Sequence, residues 1–179
     1  MNKQVNVFDY AGHICDSMRK GILLTTKADG KINTMTIGWG TIGIEWGRPV
    51  FVAYVRVGRH TRQMLDAGGA FTVNIPYGEF DHRILGFCGT KSGRDIDKIA
   101  ELGLDLVASS VIDVPGIRQL PLTLECKVLC QKMQNIPMLP ENIRNRYYPM
   151  GVDSSNPGSN EDFHIAYYGE IVNTYLIED

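Results

Sequence analysis

Gly38-Trp-Gly-Thr-Ile-Gly43 decides the fold of this chain, because its spacing matches the dinucleotide fingerprint G-x-G-x-x-G while its surroundings refuse it. The fingerprint needs a helix to open at the glycines, so that free amides can hold a pyrophosphate. Here Gly47 and Pro49 follow within six residues, and the apolar run Val50-Phe-Val-Ala-Tyr-Val55 reads as another strand. A glycine inside a strand instead marks a bulge, a sharp bend, or a place where a ligand or second backbone comes close. A bent barrel corner and a backbone presented to a flat ring are compatible readings of the same glycines.

Working outward, residues 21–57 read as a meander of three strands: Gly21–Thr26, Ile32–Ile44 and Val50–Val57. Asp29-Gly30 is a hairpin signal between the first two, and Glu45-Trp-Gly-Arg-Pro49 turns the chain into the third. A short helix follows over Arg59–Ala67, then a strand, Phe71–Ile75, ended by Pro76. Helical spacing returns in Phe80, Ile84, Leu85 and Cys88, and again from Asp95 to Leu102, stopped by Gly103. Leu104–Ser109 is weakly strand-like; Leu120–Met133 and Phe163–Ile177 are strongly so. Between the last two lies a long excursion, residues 135–162, with one helical turn near Asn142–Tyr147 and the polar string Asp153–Asn160. It reads as a lid or a subunit contact. Strands in meander order with few helices predict one domain over residues 1–179: mainly β, a closed antiparallel Greek-key barrel decorated by short helices.

Composition narrows the partners. Nineteen glycines exceed the average share, and eleven of them fall between Gly38 and Gly93. The net charge of −2 carries no general affinity for nucleic acid or anionic lipid. No apolar run approaches the roughly 20 residues of a membrane span, and the first twenty residues lack a signal-peptide pattern. Four cysteines without C-x-x-C predict a cytoplasmic protein with reduced thiols. His13, His60, His82 and His164 are scattered, so no metal site is expected. Arg56-Val-Gly-Arg-His-Thr-Arg62 places cations, a hydroxyl and helix N-terminal amides together, which suits a phosphate as well as it suits a solvated turn. Cys88-Gly-Thr-Lys-Ser-Gly-Arg-Asp-Ile-Asp-Lys98 is a second turn of that kind, with Ser92 or Asp95 able to cap the next helix, or a salt-bridged surface turn. No nucleophile elbow is present, and no catalytic acid, base or nucleophile is assigned.

Gly21-Ile-Leu-Leu-Thr-Thr26, Asn33-Thr-Met-Thr-Ile-Gly-Trp-Gly-Thr-Ile-Gly43, Arg59-His-Thr-Arg62, Phe71-Thr-Val-Asn74 and Cys88–Lys98, with His164–Val172, together resemble the flavin reductase-like family in its flavoredoxin-type branch. The resemblance runs from about residue 15 to 177. It implies an FMN-binding split β-barrel, a homodimer, and FMN near the subunit interface. By position it puts the strand of Thr34, Met35 and Thr36 along the isoalloxazine ring, with Trp39, Gly40 and Thr41 closing one side. Arg59 and Thr61, helped by Arg56, take the phosphate. Asn74 holds ribityl or ring atoms, and Cys88, Gly89, Ser92, Gly93 and Lys98 form the second loop. It implies an oxidoreductase that accepts hydride from NADH or NADPH and passes electrons to flavin or a protein acceptor; nicotinamide would then stack on the exposed flavin face under the 135–162 excursion, with His164 or Tyr147 and Tyr148 nearby. Hydride transfer requires no protein acid or base at the reacting carbon. Two alternatives stay open: an electron carrier reduced by a partner protein, and a non-redox flavin-binding barrel.

Overall fold

The computed structural model describes residues 2–152 and 162–178, so the string 153–160 lies outside the described residues. In chain order the elements are β1 (Asn2–Gln4), α1 (Ala11–Lys20), β2 (Ile22–Ala28), β3 (Lys31–Ile37), β4 (Gly40–Glu45), β5 (Arg48–Arg56), α2 (His60–Gly68) and β6 (Ala70–Ile75). Then come α3 (Arg83–Thr90), α4 (Lys98–Leu102), β7 (Leu106–Val107), β8 (Gly116–Ile117), β9 (Leu122–Met133), α5 (Glu141–Tyr147) and β10 (His164–Ile177).

Eight antiparallel strands form one sheet in the order β3-β2-β6-β9-β10-β5-β4, with β1 added to β10; β7 and β8 pair separately. Two primed turns set the register of its hairpins. Asp29 and Gly30 at φ 50° and 73° join β2 to β3, and Trp46 and Gly47 at φ 53° and 69° join β4 to β5. Pro49 lies inside β5, opposite Ile44 of the edge strand β4, where the sequence placed it in the turn.

The expected closed barrel is corrected here. β3 and β4 end the sheet on opposite sides and do not pair, so the sheet is open. What reads as one strand, Ile32–Ile44, is two, separated at Gly38-Trp39, where the chain leaves one edge of the sheet and joins the other. The three-strand meander is therefore two hairpins. Gly40 belongs to this seam: a Cβ there would stand 2.9 Å from both Met18 Sδ and Phe51 Cζ, so its bareness serves the packing of α1 and β5.

The main core fills one face of the sheet. Leu24, Phe51, Phe71, Leu124 and Tyr167 are all at most 1% exposed there. A second cluster, including Leu23, Ile84, Leu85 and Ile117, lies on the outer side under α3. On that outer face, beside Leu23, Thr25 donates to Asn74 Oδ1 at 2.9 Å and to Thr34 Oγ1 at 3.1 Å, and Asn74 donates to Thr123 at 3.2 Å. Glu125, also buried, accepts from the backbone N–H groups of Ser110, Val111 and Ile112 and from Asn173, fixing the 109–114 loop to β9. Burial pushes its carboxyl up, but the hydrogen bonds from Asn173 and those three amides outweigh it, leaving the pKa below the ordinary value.

Candidate cofactor-binding site

The end of β5, the start of α2 and the loop after α3 converge on one cavity of about 300 Å³. Arg59 precedes α2, so the free amides of the first helical turn open beside it. Thr61 is buried and its Oγ1 accepts from Asn33 Nδ2 at 2.9 Å, which ties α2 to β3. Across the cavity, Ser92 Oγ accepts from the Arg94 N–H at 3.2 Å. Gly93 packs so closely on Asn33 Oδ1 that a Cβ would overlap it. The cap of α4 is Asp97, which accepts from Ile99 and Ala100 N–H, where the sequence pointed to Ser92 or Asp95.

The electrostatics are one-sided. Arg59, Lys91, Arg94 and Lys98 line the cavity, and the one carboxylate among the described residues lining it, Asp162, already accepts from Gly58 N–H at 2.8 Å. Lys98 is only 4% exposed and its Nζ donates to the carbonyls of Cys88 and Lys91, at 3.3 and 3.2 Å, with no carboxylate among these partners. Burial, reinforced by Arg59, lowers its pKa. A buried ammonium held only by carbonyls is costly unless an anion completes it. His60 Nδ1 is likewise buried, without a partner among the described residues, and His60 lies on the wall. Burial pushes the Cys88 thiol up to about 11, so it stays protonated at neutral pH.

Of the residues expected at the site, Met35, Arg59, Thr61, Cys88, Ser92, Gly93 and Lys98 line this cavity. The others stand elsewhere. Thr34 and Asn74 are fully buried in the interior hydroxyl–amide network. Thr36 donates to Leu85 O at 2.6 Å and faces a cleft between α1 and α3, and Gly89 packs on Thr36. Arg56 points to the outer face, donating to Asp162 O at 2.7 Å and Tyr147 O at 3.3 Å and lying over the Tyr148 ring. It positions Asp162 without itself lining the cavity. Trp39, Gly40 and Thr41 sit at the seam and on β4.

Trp39 lies against His164 with ring centroids 4.6 Å apart and planes tilted by 33°, and it meets Tyr147 edge-on at 5.0 Å. His164 Nδ1 is 2.7 Å from Tyr148 Oη, which donates to Gln134 at 2.8 Å. Burial, with Arg56 and Arg59 adding to it, pushes the His164 pKa down to about 3. The imidazole is therefore neutral at physiological pH. These four rings form one cluster joining the seam to the end of α5 and the start of β10.

Asn33, His60, Lys91, Arg94 and Asp162 line the cavity but were not singled out from the sequence. Period-two alternation held the signal for Asn33: on a strand it shares a face with Met35, and Thr34 and Thr36 take the other.

A family model described as the flavin reductase like domain matches residues 18–179. The flavoredoxin of Desulfovibrio vulgaris (Miyazaki F) superposes with a TM-score of 0.64 at 23% identity, over 88% of this chain and 69% of that one. The flavoredoxin of Methanosarcina acetivorans gives 0.66 at 22%, over 88% and 68%. The NADH:FAD oxidoreductase of Streptomyces globisporus C-1027 gives 0.62 at 15%, over 88% and 75%. An uncharacterized protein of Archaeoglobus fulgidus is 29% identical over 99 residues, 55% of either chain. The structural likenesses speak for the fold, and the family model spans α2, the cation-lined cavity and both long strands: this chain belongs to the flavin reductase-like family.

Proposed function

We propose that the chain is a single FMN-binding domain and an oxidoreductase that takes hydride from NADH or NADPH. The observation that carries this reading is the buried Lys98 ammonium, with no carboxylate among its partners in the described residues, beside Arg59 and Ser92 in one cavity. A phosphate monoester supplies the missing anion, and the orphan His60 Nδ1 and the close-packed Gly93 fit a loop shaped to wrap a polar ligand. FMN, when bound, supplies the two-electron acceptor that the protein's own side chains lack.

In this reading Arg59, Lys98, Ser92 and the first-turn amides of α2 hold the phosphate. Thr61 and Asn33 keep α2 at its distance from β3. Met35 lies under the ring, whose edge follows β3 on the side where that strand has no partner. Thr34 and Asn74 hold β2, β3 and β6 in register, and Trp39 with Gly40 and Thr41 bounds the seam. The neutral His164, fixed by Tyr148 and covered by Trp39, excludes water beside it. Arg56 acts through Asp162.

A homodimer is part of this proposal. The outer face of β4, β5 and β10 carries Trp46, 59% exposed, with Tyr54 and Tyr168 over Val50, Val52 and Ala166. A second copy is the occupant we infer for that face. Among the described residues no helix is long and apolar enough to cross a membrane. A cytoplasmic location is also proposed, supported by four unpaired cysteines, two of them exposed.

Rapid mixing of the flavin-loaded protein with NADH or NADPH should bleach the flavin absorbance. Flavin that stays oxidised with both donors, yet is reduced by dithionite, overturns the reductase and leaves the electron carrier, a reading favoured by the flavoredoxin likenesses.

A further inference from the structure

Tyr148 follows α5 and His164 opens β10, and both are almost wholly buried, at 3% and 6% exposure. Their contact is polar: Tyr148 Oη stands 2.7 Å from His164 Nδ1 and donates to Gln134 Oε1 at 2.8 Å. A hydroxyl has a single proton to give. Once that proton goes to Gln134, only lone pairs face the imidazole, so Nδ1 supplies the proton of the second bond. A neutral imidazole has one donor and one acceptor nitrogen, which leaves Nε2 bare.

The surroundings hold both ends of this chain. The Gln134 backbone N–H donates to His164 O at 3.1 Å, which keeps the amide beside the ring pair. Arg56 grips Tyr148 from another side, with its guanidinium 5.4 Å over the phenol ring and a bond to the Tyr147 carbonyl. Trp39 lies against the imidazole. Among the described residues the charges that act on the pair are Arg56, Arg59 and Asp162, and the two cations oppose a second proton on His164. Arg59 and Asp162 also line the cation-rich cavity, so His164 stands at its border.

We propose that Tyr148 is a positioning residue that, through Gln134, holds His164 as the Nδ1–H tautomer and keeps Nε2 as an acceptor for an amide-type N–H of a bound cofactor. The acceptor role rests on the flavin reading above. Flavin offers such a group at N3, and the nicotinamide donor offers its carboxamide.

Long-range proton–nitrogen correlation spectra of the isotope-labelled full chain at pH 7 read the tautomer without any ligand. His164 should show a protonated Nδ1 and a bare Nε2. Tyr148→Phe removes the acceptor for that proton, and the Nε2–H form should then be populated. Gln134→Leu should do the same with the phenol ring in place, because the hydroxyl proton is released to turn towards Nδ1; it serves if Tyr148→Phe does not fold. Gln134→Glu, which still accepts, should keep the wild-type tautomer. A wild-type His164 with its proton on Nε2, or a tautomer unmoved by both Tyr148→Phe and Gln134→Leu, overturns the proposal. In the flavin-loaded protein, if the N–H is flavin's, Tyr148→Phe weakens FMN and riboflavin alike by about tenfold, the worth of one hydrogen bond. If it is the donor's, the half-saturating NADH or NADPH concentration rises about tenfold with FMN affinity unchanged. No change in either overturns the acceptor role. Absence of flavin binding overturns the flavin reading and the acceptor role with it, while the tautomer stands or falls on the nitrogen spectra.

Discussion

Glu125→Ala is expected to lower the melting temperature by roughly 6–20 °C, the equivalent of about 3–5 kcal/mol for a domain of this size. The carboxylate is the common acceptor for three consecutive backbone amides, Ser110, Val111 and Ile112, and for Asn173. Its removal takes the common acceptor from these partly buried donors and opens a gap at the fully buried Glu125 position, and each donor that water does not reach costs about 1–3 kcal/mol. The pH dependence follows from the lowered pKa. Because the folded carboxyl titrates below the unfolded value of about 4.3, its stabilisation is complete above that pH and is lost as pH falls through the folded pKa. Glu125→Gln should therefore be less stable than wild type at pH 7 and show a flatter acid limb. Thermal melts from pH 3 to 8 check both; an Ala variant within 1 °C of wild type at pH 7 would remove Glu125 from this role.

Gly93→Ala should lower FMN affinity about 100-fold, the loss of two charge-assisted hydrogen bonds. The new Cβ overlaps Asn33 Oδ1 and would stand 2.8 Å from Asn33 Cγ. Asn33 has little freedom to yield, since its Nδ2 is committed to Thr61. The loop must move instead, taking Ser92 and Arg94 away from Arg59. A fluorescence titration with FMN reads the loss, and circular dichroism checks that the fold persists. Unchanged affinity in a folded variant would show that the 91–97 loop does not hold the ligand.

Much of this architecture was legible in residue order. Asp29-Gly30 announced a hairpin because Asp and Gly tolerate the two left-handed positions of a type I′ turn, and the long runs at 120–133 and 163–177 emerged as β9 and β10. α1 escaped notice because it buries only Ile14 and Met18 and starts at Tyr10 without a side-chain cap. The break at Gly38-Trp39 carries no breaker stronger than the glycines already inside the strand pattern. Openness of the sheet depends on β3 and β4 failing to meet, and local composition does not encode a pairing that is absent.

The site divides along the same line. Arg59, Thr61, Ser92, Gly93 and Lys98 lie in two short turns whose chemistry shows in sequence. Asp162 reaches Gly58 from 104 residues away, which no spacing reveals. Arg56 and Arg59 look alike in the chain, yet Arg56 pairs with His164 on β10 and points outward, while Arg59 follows the strand and turns into the cavity.

In the proposed reading a phosphate, and not merely a flat ring, is recognised between α2 and the 91–97 loop. Parallel titration of the wild-type chain with FMN and riboflavin tests it most directly, since the two differ only by the phosphate. FMN should bind about 100-fold tighter, and Arg59→Ala should erase most of that difference by weakening FMN alone. Equal affinities for the two flavins, or equal losses on removing Arg59, would contradict it.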